Sequence, residues 1–185
     1  MSLSNKILIG MAVITVIIVL SIIGSFWSSN NEWITLEQGI KAQFDQNRNN
    51  YDSYFKTLKE VAQVPDMYVK GLKDVYDGCM TGRYGANGSK AAFQWIKEHN
   101  PKFDASMYTK IQNTIVAGRK DFESNQKVLI DKKRLYQTEI QKFPGTVIAS
   151  ILGFPKIDLD KFDIVTSETT EKIFKDKKSD YIKLN

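Results

Sequence analysis

The sequence predicts an all-α protein, in which a single N-terminal transmembrane helix is followed by an elongated antiparallel helical bundle of three to four helices. The first observation is an uncharged apolar run of 21 residues from Ile7 to Trp27. The second is that apolar residues recur at steps of three, four or seven along two later segments, which is the spacing of one helix face. The third is a set of proline and glycine interruptions, at Pro65, 78–89 and 143–145, which divide the remainder into separate helices.

The apolar run has the length of a membrane span. At about 1.5 Å per residue it is roughly 31 Å long, which matches the hydrocarbon thickness of a bilayer. Fourteen of its residues are Ile, Leu, Val, Met or Phe, and each favours insertion by roughly 0.3 to 0.6 kcal/mol near the bilayer centre. We assign Ile7, Ile14 and Leu20 to the membrane anchor, and Phe26 and Trp27 to its interfacial end.

An uncleaved anchor fits the run better than a cleavable signal peptide or a buried soluble helix. A cleavable signal peptide has an apolar core of about 7 to 15 residues and a small-x-small cleavage site. The core here is longer, and 21–29 offers only a poor version of that site. A buried soluble helix needs a large core around it, which the polar remainder does not provide.

The charges beside the run predict its orientation. Lys6 precedes the run, and the first basic residue after it is Lys41. The positive-inside rule therefore places the N-terminus in the cytoplasm and the bundle on the non-cytoplasmic side of the cell (inner) membrane, in a single-pass topology.

The composition argues against several kinds of chemistry. The chain has one cysteine, Cys79, and one histidine, His99, so the usual metal clusters and histidine-based triads cannot be assembled. The formal charge of +5 is not gathered into a basic stripe with aromatics, as nucleic-acid binding would require. We therefore expect no enzyme activity, catalytic residue, cofactor, metal or nucleic-acid partner.

The first amphipathic segment begins at Asn31 and can continue directly from the span, with 28–31 as either a juxtamembrane hinge or an exposed helical turn. Pro65 breaks or kinks this helix, because proline lacks a backbone donor and disfavours helical geometry before it. The predicted seam consists of Trp33, Ile40, Phe44, Tyr51, Phe55, Leu58 and Ala62.

Two shorter helices are predicted next. Pro65 and Asp66 suit the first turn of a helix that carries Cys79, which we interpret as a small core residue. The glycine-rich stretch 78–89 is interpreted as a loop. Ser89 can then cap a short helix that ends at 100–101.

The longest predicted helix starts at an Asp104 cap and runs to about Phe143. Two polar residues, Gln126 and Lys133, occupy seam positions. They indicate either a wet, register-fixing layer or a binding cleft. The apolar seam consists of Met107, Ile111, Ile115, Phe122, Leu129, Tyr136, Ile140 and Phe143.

A proline and glycine corner ends that helix. Thr146 can cap a short apolar helix that ends at Gly153, and a segment of about nine residues is too short to span a bilayer. The predicted domains are an anchor (1–27), a helical bundle (28–154) and a charged, mobile tail (155–185).

Two runs resemble the LemA family. They are EHNPKFDASMYTKIQNTIVAGRKDF, which ends at Phe122, and YQTEIQKFPGTVIASILGF, which ends at Phe154. The chain departs from the family around Pro65, where EVAQVPDMYVKGL replaces the usual IPNLV, so it resembles a divergent member. Its Lys, Asn, Ile and Tyr content suits an AT-rich genome such as that of a phage. The family-like residues are Pro101, Arg119, Tyr136, Phe143, Pro144, Gly145, Gly153 and Phe154.

The resemblance implies a membrane-anchored, non-enzymatic helical scaffold or regulator of envelope protein assemblies. Its expected partners are the lipid bilayer, a membrane or envelope protein, and further copies of the chain. The alternative is a membrane-tethered sensor bundle, with coiled-coil-like helices, that binds a small ligand or peptide.

Counting helices predicts where the corner at 143–145 lies. If Pro65 reverses the chain and 66–80 and 89–99 together return towards the membrane, the longest helix runs outward and the corner lies far from the bilayer. If Pro65 only kinks the first helix, the corner lies at the membrane interface. We expect the first arrangement.

Overall fold

The computed structural model describes residues 3–82, 88–100, 102–104, 106–166, 171 and 174–176. Within these residues every regular element is helical, which confirms the all-α class. The five α-helices are α1 (Leu3–Ala62), α2 (Val69–Met80), α3 (Gly88–His99), α4 (Met107–Gln141) and α5 (Gly145–Leu152). Short 3-10 helices occupy Asp66–Tyr68 and Leu159–Phe162.

Contacts divide the chain into two compact units. The first unit comprises Met1–Ala42 and Asp131–Phe162, and the second comprises Gln43–Ile130 and Asp163–Asn185. Both α1 and α4 contribute to both units. The predicted anchor, bundle and tail are instead consecutive segments of the chain. That division stays a prediction.

The first helix contains the apolar run and the first amphipathic segment without a break. Residues 28–31 are helical, so they form a turn of α1 instead of a hinge, and Ser29 and Asn30 within it are half-buried. Ile7, Ile14 and Leu20 are exposed, as is Trp27, whereas Trp33 is buried. In this part of the chain, α1 changes from a helix with no buried face to one with a single buried stripe.

In the second unit the chain reverses at Pro65. Helix α1 ends at Ala62, and α2 then lies back along it. Tyr51 Oη donates to Asp77 Oδ1 at 2.7 Å, and Tyr76 Oη donates to the Tyr51 carbonyl oxygen at 3.1 Å. Pro65 therefore marks a turn and not a kink.

Helices α2 and α3 form an antiparallel hairpin. The Cys79 thiol donates to the Gly88 carbonyl oxygen at 3.1 Å, and Gly71 packs against Trp95. Asn100 Nδ2 donates to the Ala62 carbonyl oxygen at 2.9 Å, so α3 ends where α1 ends. The expectation that these two segments together return towards the membrane was wrong. Each helix has 12 residues, about 18 Å at the helical rise, and α3 retraces the path of α2.

The boundaries around the hairpin differ from those predicted. Gly78 to Met80 belong to α2 instead of the loop, and 83–87 of that predicted loop lie outside the described residues. Ser89 is inside the first turn of α3 and does not cap it, because the helix already begins at Gly88.

Helix α4 runs antiparallel to α1. In the second unit, Tyr54 Oη donates to Asp121, and Asn47 Nδ2 donates to the Asn125 carbonyl oxygen at 3.2 Å. Asp104 does not cap α4 directly, because it forms the preceding turn by accepting the Ser106 backbone N–H. The core of this unit consists of Leu58, Ala62, Val64, Leu72, Val75, Tyr76, Cys79, Met80, Ala92, Ile96, Ile111 and Ile115.

Two neighbouring residues of α4 test the seam. Ile115 is 0% exposed and Val116 is 54% exposed. We predict that Ile115→Ala lowers the free energy of unfolding by about 2 to 5 kcal/mol, because it leaves a cavity. Val116→Ala should change it by less than roughly 0.5 kcal/mol. Urea unfolding of the full chain in detergent, followed by circular dichroism, measures both, and equal effects would mean that the packed face of α4 is misassigned.

Candidate functional site

Most of the family-like residues meet in the first unit, where α4 turns into α5. We call residues 143–156 the corner. Gly145 is buried there, and a Cβ at this position would overlap the carbonyl oxygen of Glu139 while also touching Trp33. Only glycine allows the chain to turn this closely around the end of α4.

A buried carboxylate fixes the corner to α1. Glu37 is only 4% exposed, and Tyr136 is fully buried. Tyr136 Oη donates to Glu37 Oε1, and the Lys156 backbone N–H donates to the same oxygen at 2.8 Å. The pKa of Tyr136 is raised, first by burial and then by its hydrogen bond to Glu37. The phenol therefore stays protonated and remains a donor at neutral pH.

Aromatic contacts complete the attachment. The rings of Trp33 and Phe154 meet edge to face, with centroids 5.2 Å apart. Lys156 Nζ lies 4.3 Å from the Phe154 ring centroid and 3.4 Å from Asn30 Oδ1. Residues 155–162, which were assigned to the tail, therefore begin with a segment held against α1.

Helix α5 is bounded by the predicted glycine but not by the predicted cap. Gly153 takes the left-handed conformation at the C-terminal end, as expected for a helix-ending glycine. Pro144 precedes the first helical residue, whereas Thr146 lies inside the helix and its hydroxyl donates to the Gln141 carbonyl oxygen. The prediction that Thr146 caps α5 was wrong, because the helix already begins at Gly145.

The structure contradicts the distal placement of the corner. Within the first unit, Gly39 lies near Lys132, and Glu37 pairs with Tyr136. The chain therefore continues back along α1 until the corner reaches Trp33, six residues beyond Trp27. The distal placement fails because α2 and α3 fold into a hairpin, so that α3 ends beside the end of α1. Helix α4 therefore runs antiparallel to α1 instead of parallel to it.

Three large apolar residues of the corner are exposed. Phe143 is 85% exposed, Val147 49% and Ile151 64%, whereas Ile148 and Ala149 are buried. Val147 and Ile151 are four residues apart on α5. Phe143 lies in the turn before α5, and its assignment to the seam of α4 was wrong, because α4 already ends at Gln141. We call Phe143, Val147 and Ile151 the exposed corner face.

The remaining family-like residues are elsewhere. Arg119 is half-buried in the second unit, where it lines an open cleft with Met80 and Glu123. Pro101 lies outside the described residues. Glu37 was missed in the sequence analysis, although it stands four residues after Trp33 and three before Ile40, in the register of the seam.

The second unit contains a cleft of about 460 Å³. Its apolar surface includes Phe122, a half-buried seam residue whose ring centroid lies 5.4 Å from that of Tyr51. The predicted polar seam residue Gln126 lines the cleft, whereas Lys133 belongs to the first unit. The full lining is Phe44, Asn47, Arg48, Tyr51, Asp52, Lys73, Phe122, Gln126, Asp163 and Val165.

The cleft combines an apolar surface with charges of both signs. Burial and the hydrogen bond to Asp77 raise the pKa of Tyr51, so its hydroxyl stays protonated as a donor. Lys73 Nζ lies 5.6 Å from the Tyr51 ring centroid and bonds Asp77 at 3.1 Å. Such a cleft can hold an apolar molecule with one charged or polar group.

No grouping suited to metal binding, of three or more His, Cys, Asp or Glu side chains, occurs in the part of the chain that the structure describes. Cys79 is buried, and burial raises the pKa of its thiol to about 11. The thiol is therefore protonated near neutral pH and packs as a small core residue, as expected.

Comparisons with known proteins add no relative: no protein-family model, no curated protein and no solved structure matches this chain. The resemblance to the LemA family therefore stays a prediction.

Two glycines of the first unit test the packing of the corner. We predict that Gly145→Ala destabilises the protein by about 1 to 3 kcal/mol or more, because the new methyl group meets the backbone of Glu139. Gly39 is the control, since a Cβ there meets only the Lys132 ammonium at 3.7 Å. Gly39→Ala should stabilise the protein by about 0.5 to 1 kcal/mol through helix propensity. Thermal unfolding measures both variants. A lower Tm for Gly145→Ala together with a higher Tm for Gly39→Ala supports this packing, and an unchanged Tm for Gly145→Ala would contradict it.

Proposed function

We propose that this protein is a membrane-anchored, non-enzymatic helical scaffold or regulator of envelope protein assemblies. The observation that carries the proposal is the N-terminal part of α1. It is long and apolar enough to cross a membrane, and its most apolar 18-residue window has no buried residue. Since the described residues provide no cover for this surface, the bilayer is the partner that its chemistry fits.

The remainder of the protein supports a scaffold. Helices α1 and α4 each carry buried apolar residues at helical spacing, such as Ile40 and Ile115, and hydrogen bonds to Glu37 attach the corner to α1. A packed helical body on a single span can present a fixed surface to a membrane or envelope protein, or to further copies of the chain. The resemblance to the LemA family supports the same role.

The orientation follows from the charges that flank the span. Lys6 lies before it, and Lys41 is the first basic residue after it. The positive-inside rule favours a cytoplasmic N-terminus in the cell (inner) membrane, with the helical body on the non-cytoplasmic side.

The anchor is tested by two acidic substitutions near the middle of the run. Fourteen apolar residues contribute roughly 4 to 8 kcal/mol to insertion, and each central aspartate opposes it by about 2.5 to 3.5 kcal/mol. We predict that the pair Ile14→Asp and Ile17→Asp removes the full-length protein from the carbonate-resistant membrane fraction.

The matched control places two aspartates on the exposed side of α4, as Asn113→Asp and Val116→Asp. This variant should remain in the membrane fraction. Extraction of the unsubstituted protein by carbonate, or a mature N-terminus near 25–29 by mass spectrometry, would refute the anchor.

The second candidate function is a membrane-tethered sensor, and the observation that favours it is the cleft of about 460 Å³. Its apolar surface and mixed charges suit a small ligand or a peptide with one polar group. Native mass spectrometry of the full chain from membranes tests it. The variant Gln126→Trp should fill the cleft. If the protein retains a small molecule and this variant loses it, the sensor function is supported. If the variant also retains the molecule, the sensor function is opposed.

A further inference from the structure

The exposed corner face consists of three large apolar side chains. Val147 and Ile151 lie one turn apart on α5, and Phe143 lies in the turn that precedes the helix. Each is about half exposed or more, while Ile148 on the other side of α5 is buried. An apolar stripe of this kind marks an interaction surface in a folded protein.

The corner lies close along α1 to the end of the apolar run. Lys156 reaches Asn30, which is three residues beyond Trp27, and Phe154 packs on Trp33, which is six residues beyond it. At the helical rise these steps correspond to about 4.5 and 9 Å. The polar layer of a bilayer adds roughly 5 to 8 Å on each side of the hydrocarbon core.

The chemistry of the surrounding residues fits a lipid interface. Trp27 is exposed where an interfacial aromatic residue is expected. Lys156 is exposed and places its ammonium beside the Phe154 ring and Asn30. The Lys156 ammonium lies over the Phe154 ring and is exposed, so it can also meet lipid phosphates while its apolar neighbours enter the acyl boundary.

We infer that the exposed corner face is a second membrane contact, seated in the interfacial layer of the same bilayer that α1 crosses. This inference rests on the proposed function, because it requires the span. Phe143, Val147 and Ile151 enter the boundary between headgroups and acyl chains, and α5 lies on the membrane without crossing it. The body is thereby attached to the bilayer at two places instead of one.

The test uses the full chain with Cys79→Ala, reconstituted in vesicles of neutral and anionic phospholipid. Single cysteines at Ile151, Ser150, Ile14 or Asp131 carry an environment-sensitive fluorophore. Ser150 is also exposed but lies next to Ile151, about 100° around α5, and Asp131 is an exposed residue of the same unit. Lipids with a nitroxide at the headgroup, upper chain or deep chain are the quenchers, and circular dichroism checks that each variant is folded.

The expected order of quenching follows from depth. Ile14 should be quenched most by the deep nitroxide, and Ile151 by the headgroup and upper-chain nitroxides, with at least about a twofold loss of intensity for a residue in the interface. Ser150 should be quenched less than Ile151, and Asp131 least of all. Val147→Cys is the second site on the same face and should behave like Ile151→Cys.

The controls separate the two proposals. A quenched Ile14 beside unquenched Ile151 and Val147 would leave the span in place and overturn the membrane contact of the corner. If these two sites were shielded from aqueous iodide without lipid quenching, a second copy or another protein would cover the face, which also overturns the inference. An unquenched Ile14 would refute the anchor itself and the inference with it.

Discussion

The arrangement of the first unit depends on one buried carboxylate. Glu37 accepts hydrogen bonds from Tyr136, 99 residues later in the chain, and from the Lys156 backbone, 119 residues later. Burying a carboxylate costs free energy unless hydrogen-bond donors surround it. The corner is therefore most stable in the position that supplies these donors to Glu37. The Trp33 ring of α1 also packs edge to face on Phe154 of the corner.

This constraint relates the corner to the proposed anchor. Glu37 belongs to the same helix as the apolar run, and it fixes the position of the corner along that helix. Glu37, which holds the corner in place, is therefore only a few turns of α1 from the residues that are proposed to cross the bilayer. A scaffold built in this way keeps α5 at a set distance from the end of its span, which supports the proposed second lipid contact.

The sequence predicted the helices well because their seams are periodic. Ile111, Ile115 and Leu129 follow helical spacing, and all three are fully buried. The sequence allowed Pro65 either to reverse the chain or only to kink α1. The direction of α4 could not be predicted, because it depends on whether α2 and α3 stack end to end or fold back on each other. That outcome is decided by close contacts such as Cys79 with Gly88, which have no periodic signal.

The candidate site was predicted only in part. The glycine and proline spacing indicated the turn into α5, and Gly153 ends that helix as expected. Glu37 was missed because a charged residue at a seam position is more often assigned to the surface, and its partners are distant in the chain. The corner was placed far from the span because that placement depended on the course of α2 and α3.

The central claim is that the Glu37 hydrogen bonds hold the end of α4 and the corner against α1. A double-mutant cycle with Glu37→Leu and Tyr136→Phe, on the full chain in detergent, measures this most directly. Glu37→Leu leaves the buried Tyr136 hydroxyl without its acceptor, and Tyr136→Phe leaves Glu37 with only the Lys156 backbone donor. The loss of the Lys156 bond is common to Glu37→Leu and the double variant, so it cancels in the cycle. We predict a coupling energy of about 1.5 to 3 kcal/mol between the two sites, and additivity within roughly 0.5 kcal/mol would contradict the claim.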